Sequence, residues 1–231
     1  MSTPGHSLCP KGLNGCRGNS VPKHFYTVDM PEKRAARLHP DERRAQLVAI
    51  GVDMLVECSL DELSTDAVAR RAGISRGLLF HYFDSKRDFY RSVVRRECDD
   101  FAAATEPDPS LDPVRWMRAF IAGFVAYVTG RRKVYRALVR GASGSHPAAG
   151  DIVEATRATL AARVIEGQRR LGLPQSPRLA LATRAWLAFA EEAVTSWPLE
   201  EPGALDELRA FLESGFVRLL CDLDRPATLS G

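Results

Sequence analysis

The 231-residue chain is poor in the residues that staple small folds or hold metals: it has five cysteines (Cys9, Cys16, Cys58, Cys98 and Cys221) and five histidines. An odd number of scattered cysteines excludes a disulfide framework and the paired spacing of a zinc site, and predicts a reducing, cytoplasmic setting. No stretch approaches about 18 uninterrupted apolar residues, and the first residues lack the apolar run of a signal peptide, so neither a membrane span nor secretion is expected. Walker, Gly-x-Ser-x-Gly and Gly-rich dinucleotide motifs are missing, as is any metal-spaced His/Cys/Glu set. His24, His39, His81 and His146 fall in arms, loops or short elements and leave little acid-base machinery. The sequence therefore predicts no catalytic residues, no cofactor and no metal. It also lacks strand-like alternation and internal repeats.

What is present is a globular composition, 45% hydrophobic, with a net charge of +3 that is unevenly spread. Residues 1–39 carry Lys11, Arg17, Lys23, Lys33, Arg34 and Arg37 against Asp29 and Glu32. A second basic cluster, Arg70, Arg71, Arg76, Lys86 and Arg87, has only Asp84 to oppose it. Local clusters of this kind attract a phosphate backbone whatever the total charge.

Residues 1–38 are rich in Gly, Pro, Ser and Lys without apolar periodicity and read as a disordered basic arm, with Met30 a candidate internal start. Lys33, Arg34 and Arg37 of this arm suit either a minor-groove contact or a charged tail. From His39 the pattern becomes helical. Pro40 suits a first helical position, Asp41 and Glu42 complement the helix dipole, and Leu47, Ile50, Met54 and Leu55 recur at helical spacing, predicting a helix over 40–58. Two short helices over 65–72 and 76–82 follow, then one opened by Ser85 with Asp88 as a capping box and running to 104. Pro107 and Pro109 break the chain. Further helices are expected over 112–130, 131–140, 151–171, 176–197 and 202–223, with a flexible loop at 141–150. The fold class is all-α, about nine helices, divided into a basic arm (1–38), a helix-turn-helix part (39–91), a second helical part (92–225) and a flexible tail (226–231).

The informative stretch is Leu63 to Lys86. A helix-turn-helix needs a small residue where its helices cross, a residue tolerant of left-handed backbone in the turn, and apolar anchors fixing the second helix. Ala69, Gly73, and Val68, Ile74 and Leu79 meet these needs in order. Ser64 or Thr65 and Ser75 are polar helix starts able to cap.

The motifs Val68-Ala69, Ala72-Gly73-Ile74-Ser75, Leu79-Phe80-His81-Tyr82-Phe83 and Ser85-Lys86-Arg87-Asp88-Phe89 resemble the signature of the TetR family of regulators, over about residues 43–94. The resemblance implies a dimeric, ligand-responsive DNA-binding transcription regulator, repression being the commoner behaviour. It places Thr65 on a phosphate, Ser75, Arg76, Gly77 and Leu78 at the exposed start of the recognition helix, His81 and Tyr82 at backbone or groove edge, and Lys86 on phosphate. Arg76 is the candidate guanine reader, because a guanidinium bonds O6 and N7 together. The family's tyrosine is replaced by Phe80, which removes a hydroxyl that Tyr82 is the candidate to replace. Phe80 and Phe83 read better as core anchors, and Arg70 and Arg71 as an exposed helix face.

In the second part the resemblance implies a pocket for a small, largely apolar effector, with Phe120, Phe124, Tyr127 and Trp186 as candidate lining residues. The segment 176–197 is apolar nearly all round, from Leu179 to Val194, too much for one neighbour to cover. With Leu208, Phe211, Leu212, Leu219 and Leu220 of the last helix it suggests a four-helix interface between two protomers on a palindromic operator. Glu191 and Glu192 interrupt this apolar helix, one expected to bond a pocket or interface partner and the other to face solvent. Two other classes fit the same residues: an architectural DNA-binding dimer without effector, and an enzyme using the helical pocket.

Overall fold

A computed structural model describes residues 39–142 and 147–222, which belong to one compact unit. The arm over 1–38, the tail over 226–231 and residues 143–146 of the expected loop lie outside the described residues. Among the described residues there are nine helices and no strand: α1 (Pro40–Met54), α2 (Thr65–Arg71), α3 (Arg76–Tyr82), α4 (Lys86–Ala104), α5 (Pro113–Gly130), α6 (Arg132–Ala142), α7 (Pro147–Arg170), α8 (Pro177–Ser196) and α9 (Ala204–Asp222). None is long and apolar enough to cross a membrane.

Local chemistry sets most of these boundaries. Proline occupies the first turn of α1, α5 and α8, where its missing N–H has no intrahelical partner to lose. Side-chain oxygens of Ser75, Ser85, Asp112 and Ser176 accept from orphan N–H groups at the starts of α3, α4, α5 and α8. At α4 only half of the expected capping box forms. Ser85 Oγ accepts from Asp88 N at 3.0 Å, but Asp88 Oδ2 accepts from Asp84 N at 3.3 Å rather than from the cap residue, its side chain being one methylene shorter than the usual Glu.

Two boundaries differ from the sequence pattern. Helix α1 stops at Met54, and Leu55, Val56 and Glu57 continue in tighter i→i−3 bonds that carry Leu55 and Leu60 into the core. Helix α7 begins at Pro147, taking up the end of a segment whose Gly, Ala and Pro content suggested a loop.

The interior forms two clusters. The first joins Leu47, Val52, Val68, Leu79, Phe83, Phe89 and Val93 of α1–α4 to Val134 and Leu138 of α6 and Ile152 and Val153 of α7. The second gathers Phe101 of α4 with Phe120 and Phe124 of α5, Tyr135 of α6, Leu160 and Val164 of α7, Trp186 of α8 and Leu208 and Leu212 of α9. Helix α4 contributes to both: its first half packs on α1 and its second half on the second cluster. At Gly51 an added Cβ would lie 2.7 Å from Val93 Cγ2 and 2.9 Å from Phe89 Cζ, so the α1 backbone there packs directly against side chains of α4.

Candidate nucleic-acid interface and interior cavity

The joint between α2 and α3 is fixed by backbone geometry. Gly73 has φ +67°, Gly73 N donates to Arg70 O at 3.1 Å, and Ile74 N donates to Ala69 O at 3.0 Å, together a Schellman closure. Val68, Ala69, Leu79 and Phe83 are buried and hold α3 against α1, α2 and α4. The buried Tyr90 of α4 donates from its hydroxyl to Leu63 O, tying α4 to the segment that leads into α2. Phe83 and Phe89 meet edge-on at 5.0 Å, with the Arg44 guanidinium 4.7 Å over the Phe83 ring.

What this frame leaves outside is a polar, basic strip. Ser75, Arg76, Gly77, Leu78, His81 and Lys86 are all exposed, and Tyr82 is half-buried. Ser75 spends its oxygen on the cap, accepting from Leu78 N at 3.1 Å. Arg76 reaches Asp66 at 3.5 Å and lies 5.6 Å over the half-buried Phe80 ring, so its guanidinium is oriented yet 63% exposed. Lys86 Nζ lies 5.1 Å over Tyr90 at the start of α4. Arg70, Arg71 and Arg87 are exposed too. Thr65 stands apart from this set. Only 4% exposed at the first position of α2, it is packed inward, and Ser64, the cap of that helix, is the more accessible hydroxyl.

A second feature lies deeper. A cavity of about 30 Å³ is walled by Phe101, Leu138, Val139, Val153 and Leu160, with Glu97, Cys98, Tyr127, Tyr135, Thr156, Arg157 and Glu191 also on its surface. Two ion pairs close it. Glu97, whose side chain is 3% exposed, accepts from Tyr127 OH at 2.8 Å and from Arg131 Nη2 at 2.8 Å, and Arg131 Nε lies 2.8 Å from Oε1 as an ion-pair contact without hydrogen-bond geometry. Glu191 is gripped in a fork by Arg157, Nε to Oε1 at 3.0 Å and Nη2 to Oε2 at 2.8 Å. Burial pushes the Glu97 carboxyl above the usual carboxylate range, although Tyr127 and Arg131 pull the other way. Burial likewise raises Tyr127, Tyr135 and the Cys98 thiol, keeping all three neutral near pH 7.

Of the four expected effector residues, Tyr127 is on this cavity. Phe120, Phe124 and Trp186 are buried beside it in the second cluster: Phe124 packs 5.5 Å from Phe101, and Trp186 Nε1 donates to Leu212 O at 3.3 Å. Glu97, Arg131 and Arg157 were missed, whereas one of Glu191 and Glu192 was expected to bond a pocket or interface partner. A signal existed for Glu97, which interrupts an apolar stripe of α4 at Val93, Val94, Cys98 and Phe101. Glu191 is the inward member of its pair, while Glu192 is exposed and accepts from Ser196 Oγ at 2.6 Å.

The description "Bacterial regulatory proteins, tetR family" fits residues 49–93, and "Tetracyclin repressor-like, C-terminal domain" fits residues 113–219. The chain belongs to the TetR family. A tetR-family transcriptional regulator from Streptomyces coelicolor is 25% identical, superposes with a TM-score of 0.68, and is matched over 81% of this chain and 85% of that one. A TetR-like regulator from Rhodococcus sp. RHA1 is 26% identical with a TM-score of 0.60, over 78% and 99% of the two chains. The HTH-type transcriptional regulator EthR of Mycolicibacterium smegmatis is 28% identical over 183 residues, 76% of this chain and 84% of that one. The same organism's HTH-type transcriptional activator FasR is 28% identical over 106 residues, and the match spans about half of that protein, 48%. Helices α2 and α3 are thus the helix-turn-helix of a TetR-family transcription regulator, and α5–α9 carry the family's C-terminal domain.

Proposed function

We propose that this TetR-family protein is a homodimeric, cytoplasmic repressor that leaves a palindromic operator when a small, largely apolar effector occupies the cavity between α4 and α8. One observation carries this reading. Helix α4 is built into the helix-turn-helix through Phe89, Tyr90 and Val93 and presents Glu97, Cys98 and Phe101 to the cavity. A ligand that widens the cavity acts directly on the helix that positions α3. In this scheme residues 39–91 are the DNA-binding part, 92–225 the effector and dimer part, and α4 crosses between them.

Ser75, Arg76, Gly77, Leu78, His81 and Tyr82 form the major-groove face, with Arg76 reading a guanine and Lys86 on phosphate. The dimer uses the outer faces of α8 and α9, where Leu181, Phe189, Leu205, Phe211 and Val217 are between 40% and 60% exposed. Phe189 and Phe211 of that patch lie 5.2 Å apart with their rings tilted by 46°. Exposed aromatics grouped on two adjacent helices call for a second apolar surface, and a two-fold pair of α8/α9 supplies one. Two recognition helices then reach half-sites about one DNA turn apart, roughly 34–36 Å. Because the favoured separation differs between liganded and DNA-bound dimers, effector and operator weaken each other by the same factor.

The test is fluorescence anisotropy on an operator selected from random duplexes by the purified dimer. Sequence-selective binding that weakens on addition of a ligand shown to occupy the cavity is the expected result. Binding without site preference, with steep salt dependence alone, would instead identify an architectural protein.

A further inference from the structure

Arg157 at the cavity wall has a second acid to turn to, so an exchange of its ion pair would be asymmetric. Arg157 holds two acids at once: the inner Glu191, 14% exposed, and the outer Glu154, 70% exposed, at 2.6 Å. If Arg157 lets go of Glu191 it keeps Glu154 and remains near water, being itself 34% exposed. If Glu191 is the group displaced, a carboxylate is left beside an apolar interior with the Tyr135 hydroxyl but no cation to answer it. A buried charge deprived of its partner costs far more than a surface pair shifted outward. An incoming anion would force the expensive exchange, and an incoming cation the cheap one.

The surroundings favour the same sign. The cavity surface bears two carboxylates, Glu97 and Glu191, against the single guanidinium of Arg157, and Glu97 is already answered by Arg131 and Tyr127. Phe101, Tyr127 and Tyr135 all border the site, Phe101 lying stacked 5.1 Å from Tyr127 and edge-on 5.7 Å from Tyr135, and aromatic rings attract cations. Room is available once the pair opens. At about 30 Å³ the closed cavity admits little more than water, but Glu191 and Arg157 also line a groove of about 440 Å³ between α7 and α8, whose other charged members are Glu154 and Arg184.

Building on the effector role proposed above, we infer that the effector carries a positive charge, an ammonium or amidinium on an apolar body, and that this cation replaces Arg157 on Glu191. Arg157 swings onto Glu154, the cavity and the α7–α8 groove become continuous, and the apolar body lies against Phe101 and Leu160. Arg157 is then a resident competitor that sets the affinity threshold, and Glu191 is the residue that selects charge.

Titration calorimetry on the full chain with three probes sharing one body decides the matter: 4-phenylbutylamine, 4-phenylbutan-1-ol and 4-phenylbutanoate. The amine should bind at least about tenfold tighter than the other two. Glu191→Gln should reduce the amine to the level of the alcohol, and Arg157→Gln should tighten amine binding, with circular dichroism checking that each variant folds. Should Glu191→Gln fail to fold, the comparison of probes on the unaltered protein and the Arg157→Gln result still decide. Equal binding of all three probes, preference for the carboxylate, or weaker amine binding by Arg157→Gln overturns the charge assignment and leaves the effector site standing. Binding of none of the probes overturns both.

Discussion

Replacing Arg131 with Met removes the guanidinium from Glu97 while keeping an aliphatic stem over Tyr127, and its consequence can be worked out from the geometry. The Glu97 side chain is 3% exposed and Arg131 is 39% exposed, so the deletion strands a buried carboxylate without burying a new group. Stranding a buried charge typically costs 3–5 kcal/mol, and since Tyr127 still donates at 2.8 Å the low end applies, about 3 kcal/mol at pH 8. For a chain of this size that is a fall of roughly 6–12 °C in melting temperature. The loss must depend on pH in a definite direction. Glu97 already titrates above its unfolded value because burial outweighs its partners. A carboxyl raised in the folded state contributes most below its unfolded pKa, about 4.3, and loses that contribution as pH rises through the folded value. Removing Arg131 raises the folded value further, so the deficit of Arg131→Met relative to the parent should be small at pH 5 and grow toward pH 8. Thermal melts followed by circular dichroism across that range provide the assay, with the double variant Arg131→Met/Glu97→Gln expected to regain most of the loss at pH 8. A deficit that is flat with pH, or one that Glu97→Gln fails to relieve, would refute the argument.

Three other outcomes are expected. Arg76→Ala should lower operator affinity by about 1–3 kcal/mol, roughly 5- to 150-fold, and relax the base preference at one position per half-site, with little change in melting temperature because the side chain is 63% exposed. Gly73→Ala should destabilise the fold by about 1 kcal/mol through its left-handed backbone alone, since nothing lies within 4 Å of the added Cβ, and Gly73→Asn should cost less. Phe189→Asp combined with Phe211→Asp should yield a folded monomer by sedimentation equilibrium and abolish operator binding at concentrations where the parent saturates; a stable dimer would move the interface away from α8 and α9.

The helix-turn-helix was legible before any coordinates because its determinants are local. Ser75 and Ser85 cap helices three residues downstream, Gly73 supplies the one left-handed turn the joint needs, and the apolar anchors lie within one or two helical turns of it. Such interactions are decided by spacing along the chain, and spacing is what a sequence records. The inward placing of Thr65 was not legible, because adjacent hydroxyls at a helix start differ only in which of them the neighbouring helices cover. The cavity belongs to the same category. Glu97 meets Arg131 and Arg157 meets Glu191 across 34 residues each, through the packing of α4, α5, α7 and α8. Aromatic content marks this half as apolar, yet whether Phe120 or Phe101 borders a gap depends on how far apart their helices cross, a distance set by every side chain between them. The sequence by itself determined the helices, their order and the helix-turn-helix among them; tertiary packing alone decided where space was left, and which charges had to be paired to leave it.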